Sequence, residues 1–318
     1  MDPRQAAGLK PAHAAAAPPP IDAAVAIGLE PLTDARRRWP ALLGAGLTLV
    51  MIAGLARELL GDGLDGLTRS VPRSPVFYLF FALAYLALPV VDYLIFRKLW
   101  RIPAAGLAAT LKKRVANEVL SYSGEAYFYS WARAHAPMVA APFGAVKDVS
   151  ILSAMAGNAV TLALMAAAIP FGAALLPAGW EATAGWSAAV LVLTSLPFLV
   201  FRTRVFSLDR PALLWIFGAH GGRILGGSLL IALAWEAALP GATTQTWLLL
   251  AAGRLLVSRL PLVPNKELLF ANLAIMALGG DGALAELMAF TAALTLVVDA
   301  GLLAAFGVVA LVRRRVSR

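Results

Sequence analysis

Ionisable side chains accumulate beside two interruptions of an otherwise apolar sequence, and they could hold a charged ligand there. The first interruption lies in "NEVLSYSGEAYFY" and carries Asn117, Gly124 and Glu125. The second lies in "RLLVSRLPLVPNKELLF" and carries Arg254, Arg259, Pro261, Pro264, Lys266 and Glu267. A charge in hydrocarbon is costly, so such groups face a protein interior or a wet cavity and pair with one another or with a ligand.

Composition predicts that the elements positioning these groups are membrane helices. The chain has 318 residues, of which 60% are hydrophobic and 14% charged. Several apolar runs reach spanning length, which predicts an all-α, polytopic membrane protein. Its net charge of +9 does not indicate nucleic-acid binding, since the basic residues cluster beside apolar runs, where they set orientation and meet anionic headgroups.

We expect about six spans and two domains. The predicted spans cover 41–60, 76–96, 149–169, 186–201, 212–239 and 284–312. Residues 1–34, rich in alanine and proline, are predicted to be a disordered cytoplasmic tail, and 35–318 a single transmembrane domain.

Basic residues predict the orientation. Clusters at 36–38, at 97–114, after 201 and at 313–315 mark cytoplasmic ends, whereas the segments near 171–185 and 240–245 have no Lys or Arg. Both termini are therefore expected on the cytoplasmic side. The expected location is the inner membrane of the cell.

The two interrupted stretches, 103–135 and 247–280, fit poorly as single spans. By the charge pattern the first has both ends inside and the second both ends outside, which predicts two broken, re-entrant hairpins in an inverted arrangement. Gly124 is expected to supply the bend of the first, and Pro261 and Pro264 to break the second. Two short complete crossings at 247–280 preserve the same parity and remain an alternative.

Three further polar residues lie at membrane depth. Asp148 opens the third span and could be a partner of the helix dipole or part of a site. Arg223 follows Gly222, within a stripe of glycines at 218, 222 and 226, and is expected near a close helix contact. His220 is expected to be a satisfied structural histidine.

"NEVLSYSGEAYFYSW", "GAVKDVSIL" and "SRLPLVPNKELLF" together resemble the transmembrane region of the lysylphosphatidylglycerol synthetase family, also called flippase-like membrane proteins. The matching residues are Asn117, Gly124, Glu125, Asp148, Leu260, Pro261, Pro264 and Glu267. The chain departs from the family pattern at Tyr122, at Val146 and Lys147, and at Asn265 and Lys266. The soluble aminoacyl-transferring domain of some members has no counterpart, so lipid aminoacylation is not expected.

The resemblance implies movement or presentation of an anionic phospholipid or a polyisoprenoid phosphate. Arg254, Arg259 and Lys266, with Arg223, would hold the phosphate. Glu125 and Glu267 would pair with these cations in the empty site.

Two other function classes remain open. An integral-membrane lipid-modifying enzyme would need clustered aspartates for a divalent metal, and neither such a cluster nor another catalytic motif is recognisable, so no enzyme activity, metal or cofactor is predicted. The other class is a non-catalytic accessory subunit, in a complex with a partner enzyme or with further copies of this chain.

Overall fold

The fold of the described residues is entirely helical. The computed structural model describes residues 71–119, 123–135, 142–172, 180–201, 205–260, 266–278 and 282–316. Nine helices lie in those ranges: α1 Pro75–Trp100, α2 Gly106–Val119, α3 Ser123–His135, α4 Pro142–Gly172, α5 Trp180–Val200, α6 Arg210–Ala238, α7 Thr244–Ser258, α8 Lys266–Leu278 and α9 Gly282–Val316. The predicted tail and the predicted span 41–60 lie outside the described residues.

Four helices are long and apolar enough to cross a membrane: α1, α4, α6 and α9. They correspond to the predicted spans at 76–96, 149–169, 212–239 and 284–312, and α4 begins earlier than predicted. Within α5 the apolar helix covers only Gly185–Phe198, which is shorter than a typical span. The described residues thus establish four candidate spans, not six.

Helices α2 and α3 fold back on one another and form the first hairpin. The Ser123 hydroxyl donates to the carbonyl of Ala116 over 2.8 Å, and the Gly124 amide donates to Oδ1 of Asn117 over 2.8 Å. The last turn of α2 therefore satisfies donors in the first turn of α3, which helix geometry alone would leave unpaired.

Helices α7 and α8 form the second hairpin, and side chains again cross from one helix to the other. Lys266, the first residue of α8, donates to the carbonyl of Ser258, the last residue of α7, over 2.8 Å. Arg254 of α7 and Glu267 of α8 form an ion pair at 2.6 Å. Pro261 and Pro264 lie between the two helices but outside the described residues.

The two hairpins pack near opposite ends of α1 and α6. The first joins a hydrophobic cluster with the C-terminal half of α1 and the N-terminal half of α6, through Phe128, Phe96 and Ile216. The second joins another cluster with the opposite halves of both helices, where Leu268 packs with Phe77 and Trp235. Because α1 and α6 run through both clusters, they fix the distance between the hairpins.

Gly124 does not bend the chain as predicted, since it lies inside α3. A Cβ atom at this position would stand 2.1 Å from the backbone carbonyl oxygen of Lys113. The glycine therefore permits close approach of two helices, and no larger residue fits without moving backbone.

We predict that Gly124→Ala destabilises the protein by about 1–3 kcal/mol, the usual cost of overpacking. The thermal unfolding temperature of the detergent-solubilised protein measures it. The matched control is Gly222→Ala on α6, where an added Cβ meets nothing within 4 Å. Equal unfolding temperatures for the two variants would contradict the close-approach role.

Candidate functional site

A cavity of about 410 Å³ lies where the helix ends on either side of the two interruptions meet the long helices. Its walls come from α1, α2, α3, α4, α6, α7 and α8. The charged lining residues are Asp92, Lys113, Arg114, Glu118, Glu125, Arg223, Arg254, Arg259, Lys266 and Glu267. Six cations and four carboxylates therefore line one cavity.

The cavity lies at half the length of the candidate spans. Ala87 and Leu88 line it at the middle of α1, and Ile224 lines it at the middle of α6. Ala154 lines it near the middle of Gly144–Ala167, the apolar part of α4. If these helices cross a bilayer along their length, the charged cavity lies near the membrane midplane.

Lys113 is shared between two carboxylates on one side of the cavity. Its ammonium lies 2.7 Å from Oδ2 of Asp92 on α1 and 3.7 Å from Oε1 of Glu125 on α3. Lys113 and Asp92 are both buried, so each compensates a charge whose desolvation would otherwise be prohibitive. Asn117, near the end of α2, also donates to Glu125 over 3.2 Å. Two residues of α2 thus contact the same carboxylate of α3.

Arg254 and Glu267 neutralise each other on the other side. Nε and Nη2 of Arg254 donate to the two oxygens of Glu267 over 2.8 and 2.6 Å. This bidentate geometry is the strongest arrangement for a guanidinium and a carboxylate. Glu267 therefore has little remaining capacity to neutralise its neighbour Lys266.

Arg223, Arg259 and Lys266 make no ion pair with any carboxylate of the described residues. Arg223 donates to Ser153, while Arg259 donates twice to the hydroxyl of Ser258. Within the described residues, neutral oxygens hold these three neighbouring cations.

Arg114 and Glu118 form another part of the cavity wall. The guanidinium of Arg114 lies 3.8 Å from the centre of the Tyr85 ring, and the Tyr85 hydroxyl donates to Asp299 of α9. Glu118, one turn after Arg114, makes no hydrogen bond or ion pair within the described ranges.

Many buried polar atoms of the cavity lack a partner in the protein. Among the described residues nine buried side-chain polar atoms lack one, and seven belong to cavity residues: Arg114, Glu125, Ser150, His220, Arg223 and Ser228, with both nitrogens of His220. Buried polar groups normally have partners, so this concentration is typical of a site that binds a polar ligand. The prediction that His220 is satisfied within the protein is wrong.

Most of the predicted site residues meet in this cavity. Its lining includes Asn117, Glu125, Arg223, Arg254, Arg259, Lys266 and Glu267. The glycine stripe makes no close helix contact within the described residues, since an added Cβ at Gly218, Gly222 or Gly226 meets nothing within 4 Å. The expectation that Arg223 lies near such a contact is therefore wrong, and Arg223 lines the cavity instead. Gly124 contributes through the packing of the first hairpin.

Asp148 belongs elsewhere. Its Oδ2 accepts from the amides of Ser207 and Leu208 and from the Ser207 hydroxyl, over 2.7 to 2.9 Å. The carboxylate is completely buried and anchors the segment that precedes α6. Its role is therefore structural and not that of a cavity ligand.

Sequence reasoning did not assign Lys113, Arg114 or Glu118 to the site, and it grouped Lys113 and Arg114 with the cytoplasmic basic cluster. The available signal was spacing, since Arg114 and Glu118 are four residues apart and so share a helix face, as do Lys113 and Asn117. Within the described part of the chain, no three His, Asp or Glu side chains come together to hold a metal ion.

Comparisons of the chain with family models, with curated proteins and with solved structures find no match.

We predict that Glu118→Gln raises the unfolding temperature of the detergent-solubilised protein at pH 8. The carboxylate lines the cavity without a hydrogen bond or ion pair within the described ranges, so its desolvation is not compensated there, and a neutral amide removes this cost.

The matched control is Glu236→Gln, at an exposed position of α6. The unfolding temperatures of both variants and of the unchanged protein are measured at pH 8. No gain in Glu118→Gln, or a gain no larger than that of Glu236→Gln, would contradict this interpretation of Glu118.

Proposed function

We propose that this protein is an integral membrane transporter that moves or presents an anionic lipid, with the headgroup passing through the central cavity. One observation carries the proposal: the inner helix ends of two opposed hairpins meet at half the length of α1, α4 and α6 and line a cavity with more cations than carboxylates. Broken helices that meet at mid-depth are the arrangement transporters use to bind a charged ligand inside a membrane.

The lengths of the hairpin helices support re-entry. Helices α2, α3, α7 and α8 have 14, 13, 15 and 13 residues. At 1.5 Å per residue each is only about 20 Å long, short of the roughly 30 Å hydrocarbon core. Each hairpin therefore enters to mid-depth from its own side, which we favour over two short complete crossings at 247–280.

The cytoplasmic assignment of the termini and the total of six spans form part of this proposal. In this topology the first hairpin opens towards the cytoplasm and the second towards the opposite side. The packing supports opposite directions, because the two hairpins contact opposite halves of α1 and α6. The proposed location is the inner membrane of the cell.

Exchange of ionic partners provides the mechanism. In the empty site an ion pair joins the two helices of each hairpin. Lys113 pairs with Glu125 in the first, and Arg254 pairs with Glu267 in the second. An entering headgroup competes with these carboxylates for the cations, and a hairpin whose carboxylate is displaced is free to move. Alternation between the two hairpins exposes the cavity to one side at a time.

The proposal agrees with the resemblance to the flippase-like family. Asn117, Glu125 and Glu267, which carry that resemblance, all line the cavity. Asp148, which also matches the family pattern, is structural. We retain membership of that family as a hypothesis.

We predict that Glu125→Ala and Arg259→Ala each slow translocation by about tenfold or more. Each removes one charged partner from the cavity, and a charge-assisted hydrogen bond contributes about 1.5–3 kcal/mol. The assay reconstitutes the purified protein in liposomes with fluorescent anionic phospholipid and follows the fraction accessible to a reductant outside.

Arg210→Ala is the matched control, since Arg210 is exposed at the start of α6 and does not line the cavity. Empty liposomes give the background rate. Unchanged translocation in both cavity variants, with the protein folded and incorporated, would exclude this mechanism.

A further inference from the structure

We propose that Arg223, Arg259 and Lys266 form a subsite for the dianionic head of a phosphate monoester. The inference deepens the proposed function and rests on it only for the lipid nature of the ligand. Its basis is the contiguity of the three cations, the net charge of the cavity and the neutral donors around them.

The two arginines approach α4 at positions one helical turn apart, Ser153 and Gly157. Nη2 of Arg223 donates to Ser153 over 3.2 Å, and the Arg259 guanidinium lies so close to Gly157 that an added Cβ would stand 1.8 Å from its Nη1. Residues four apart on a helix are neighbours at about 5–6 Å. The two guanidinium groups are thus spaced to contact a single phosphate.

Ser258 brings Lys266 into the same group. Its hydroxyl accepts from Nε and Nη2 of Arg259 over 3.0 and 2.9 Å, and its carbonyl accepts from the Lys266 ammonium over 2.8 Å. Arg223 of α6, Arg259 at the end of α7 and Lys266 at the start of α8 are therefore linked through α4 and Ser258. We call these three cations the arc.

The charge count favours a dianion. The cavity lining has two more cations than carboxylates when His220 is neutral. Lys113 faces two carboxylates, Arg254 is neutralised by Glu267, and Arg114 lies one turn from Glu118, so the surplus is concentrated on the arc. A phosphate monoester carries about −1.5 to −2 charges at neutral pH and three terminal oxygens. A phosphodiester or a carboxylate carries a single negative charge.

Neutral donors line the same cavity. Within the described residues, the hydroxyls of Ser150 and Ser228 and the ring of His220 have no hydrogen-bond partner, nor does Nε of Arg223. A phosphate with three terminal oxygens could accept from several of them at once.

The test measures binding to the folded full chain in nanodiscs of zwitterionic lipid, using native mass spectrometry or intrinsic tryptophan fluorescence. The probes are a polyisoprenyl monophosphate and phosphatidic acid as lipid monoesters, phosphatidylglycerol as a lipid diester, and glycerol 3-phosphate and inorganic phosphate as soluble sources. We expect both lipid monoesters to bind about tenfold or more tightly than the diester, the ratio expected for one additional charge-assisted hydrogen bond.

Charge and position are tested by separate variants. Arg223→Gln, Arg259→Gln and Lys266→Gln should each reduce the preference for a monoester over a diester. Gly157→Ala keeps every charge but displaces the Arg259 guanidinium, and it should reduce the same preference. Arg210→Gln, at an exposed position outside the cavity, should leave it unchanged.

Glu118→Gln tests the charge count in the opposite direction. It removes one negative charge from the lining without changing the three cations, so monoester affinity should rise. Lower monoester affinity in this variant would contradict the electrostatic argument.

The outcomes separate this inference from the proposed function. Tighter binding of lipid monoesters supports both. Equal binding of lipid and soluble monoesters supports the dianion subsite but contradicts the lipid specificity. Equal binding of monoester and diester in a protein that still translocates lipid overturns the subsite alone. Binding of none of the probes by a folded protein overturns the inference.

Discussion

Burial of charge at half the length of membrane-length helices is the constraint on which this structure depends. Lys113 and Asp92 illustrate it, because either side chain alone would be a desolvated ion among Phe96, Phe128 and other apolar groups. Their 2.7 Å contact joins α1 to α2 and so holds the first hairpin against the helix core. Removing one partner of a buried pair typically costs about 3–5 kcal/mol. The fold around the cavity therefore depends on both partners of this pair remaining in place.

Close backbone approach makes this arrangement geometrically feasible. Gly124 lets α3 lie against the carbonyl of Lys113, and Gly157 leaves room on α4 for the guanidinium of Arg259. At both positions the missing side chain leaves space that a neighbouring group of the cavity wall occupies. The hydrophobic clusters at either end of α1 and α6 then supply the burial that keeps the hairpins in place.

The sequence predicts the four long apolar helices and the positions of the two interruptions, because apolar length and polar interruptions are local properties. It also predicts that Glu125, Arg254, Arg259 and Glu267 belong to a site, since charges beside broken apolar stretches need partners. It does not reveal the contact between Asp92 and Lys113, which are 21 residues apart on different helices. Nor does local sequence distinguish a glycine that bends a chain from one that admits a neighbouring backbone.

The two hairpins differ in how firmly their ion pairs hold them. Arg254 donates two hydrogen bonds to Glu267, so separating the two helices of the second hairpin leaves both charges without this partner. Glu125 is 3.7 Å from Lys113 and has one oxygen without a partner, and Lys113 keeps Asp92 if Glu125 moves away. Release of the first hairpin therefore exposes fewer unpaired buried charges. Under the proposed mechanism the first hairpin needs less compensation from the entering anion, whereas opening the second depends on that anion to replace Glu267 at Arg254.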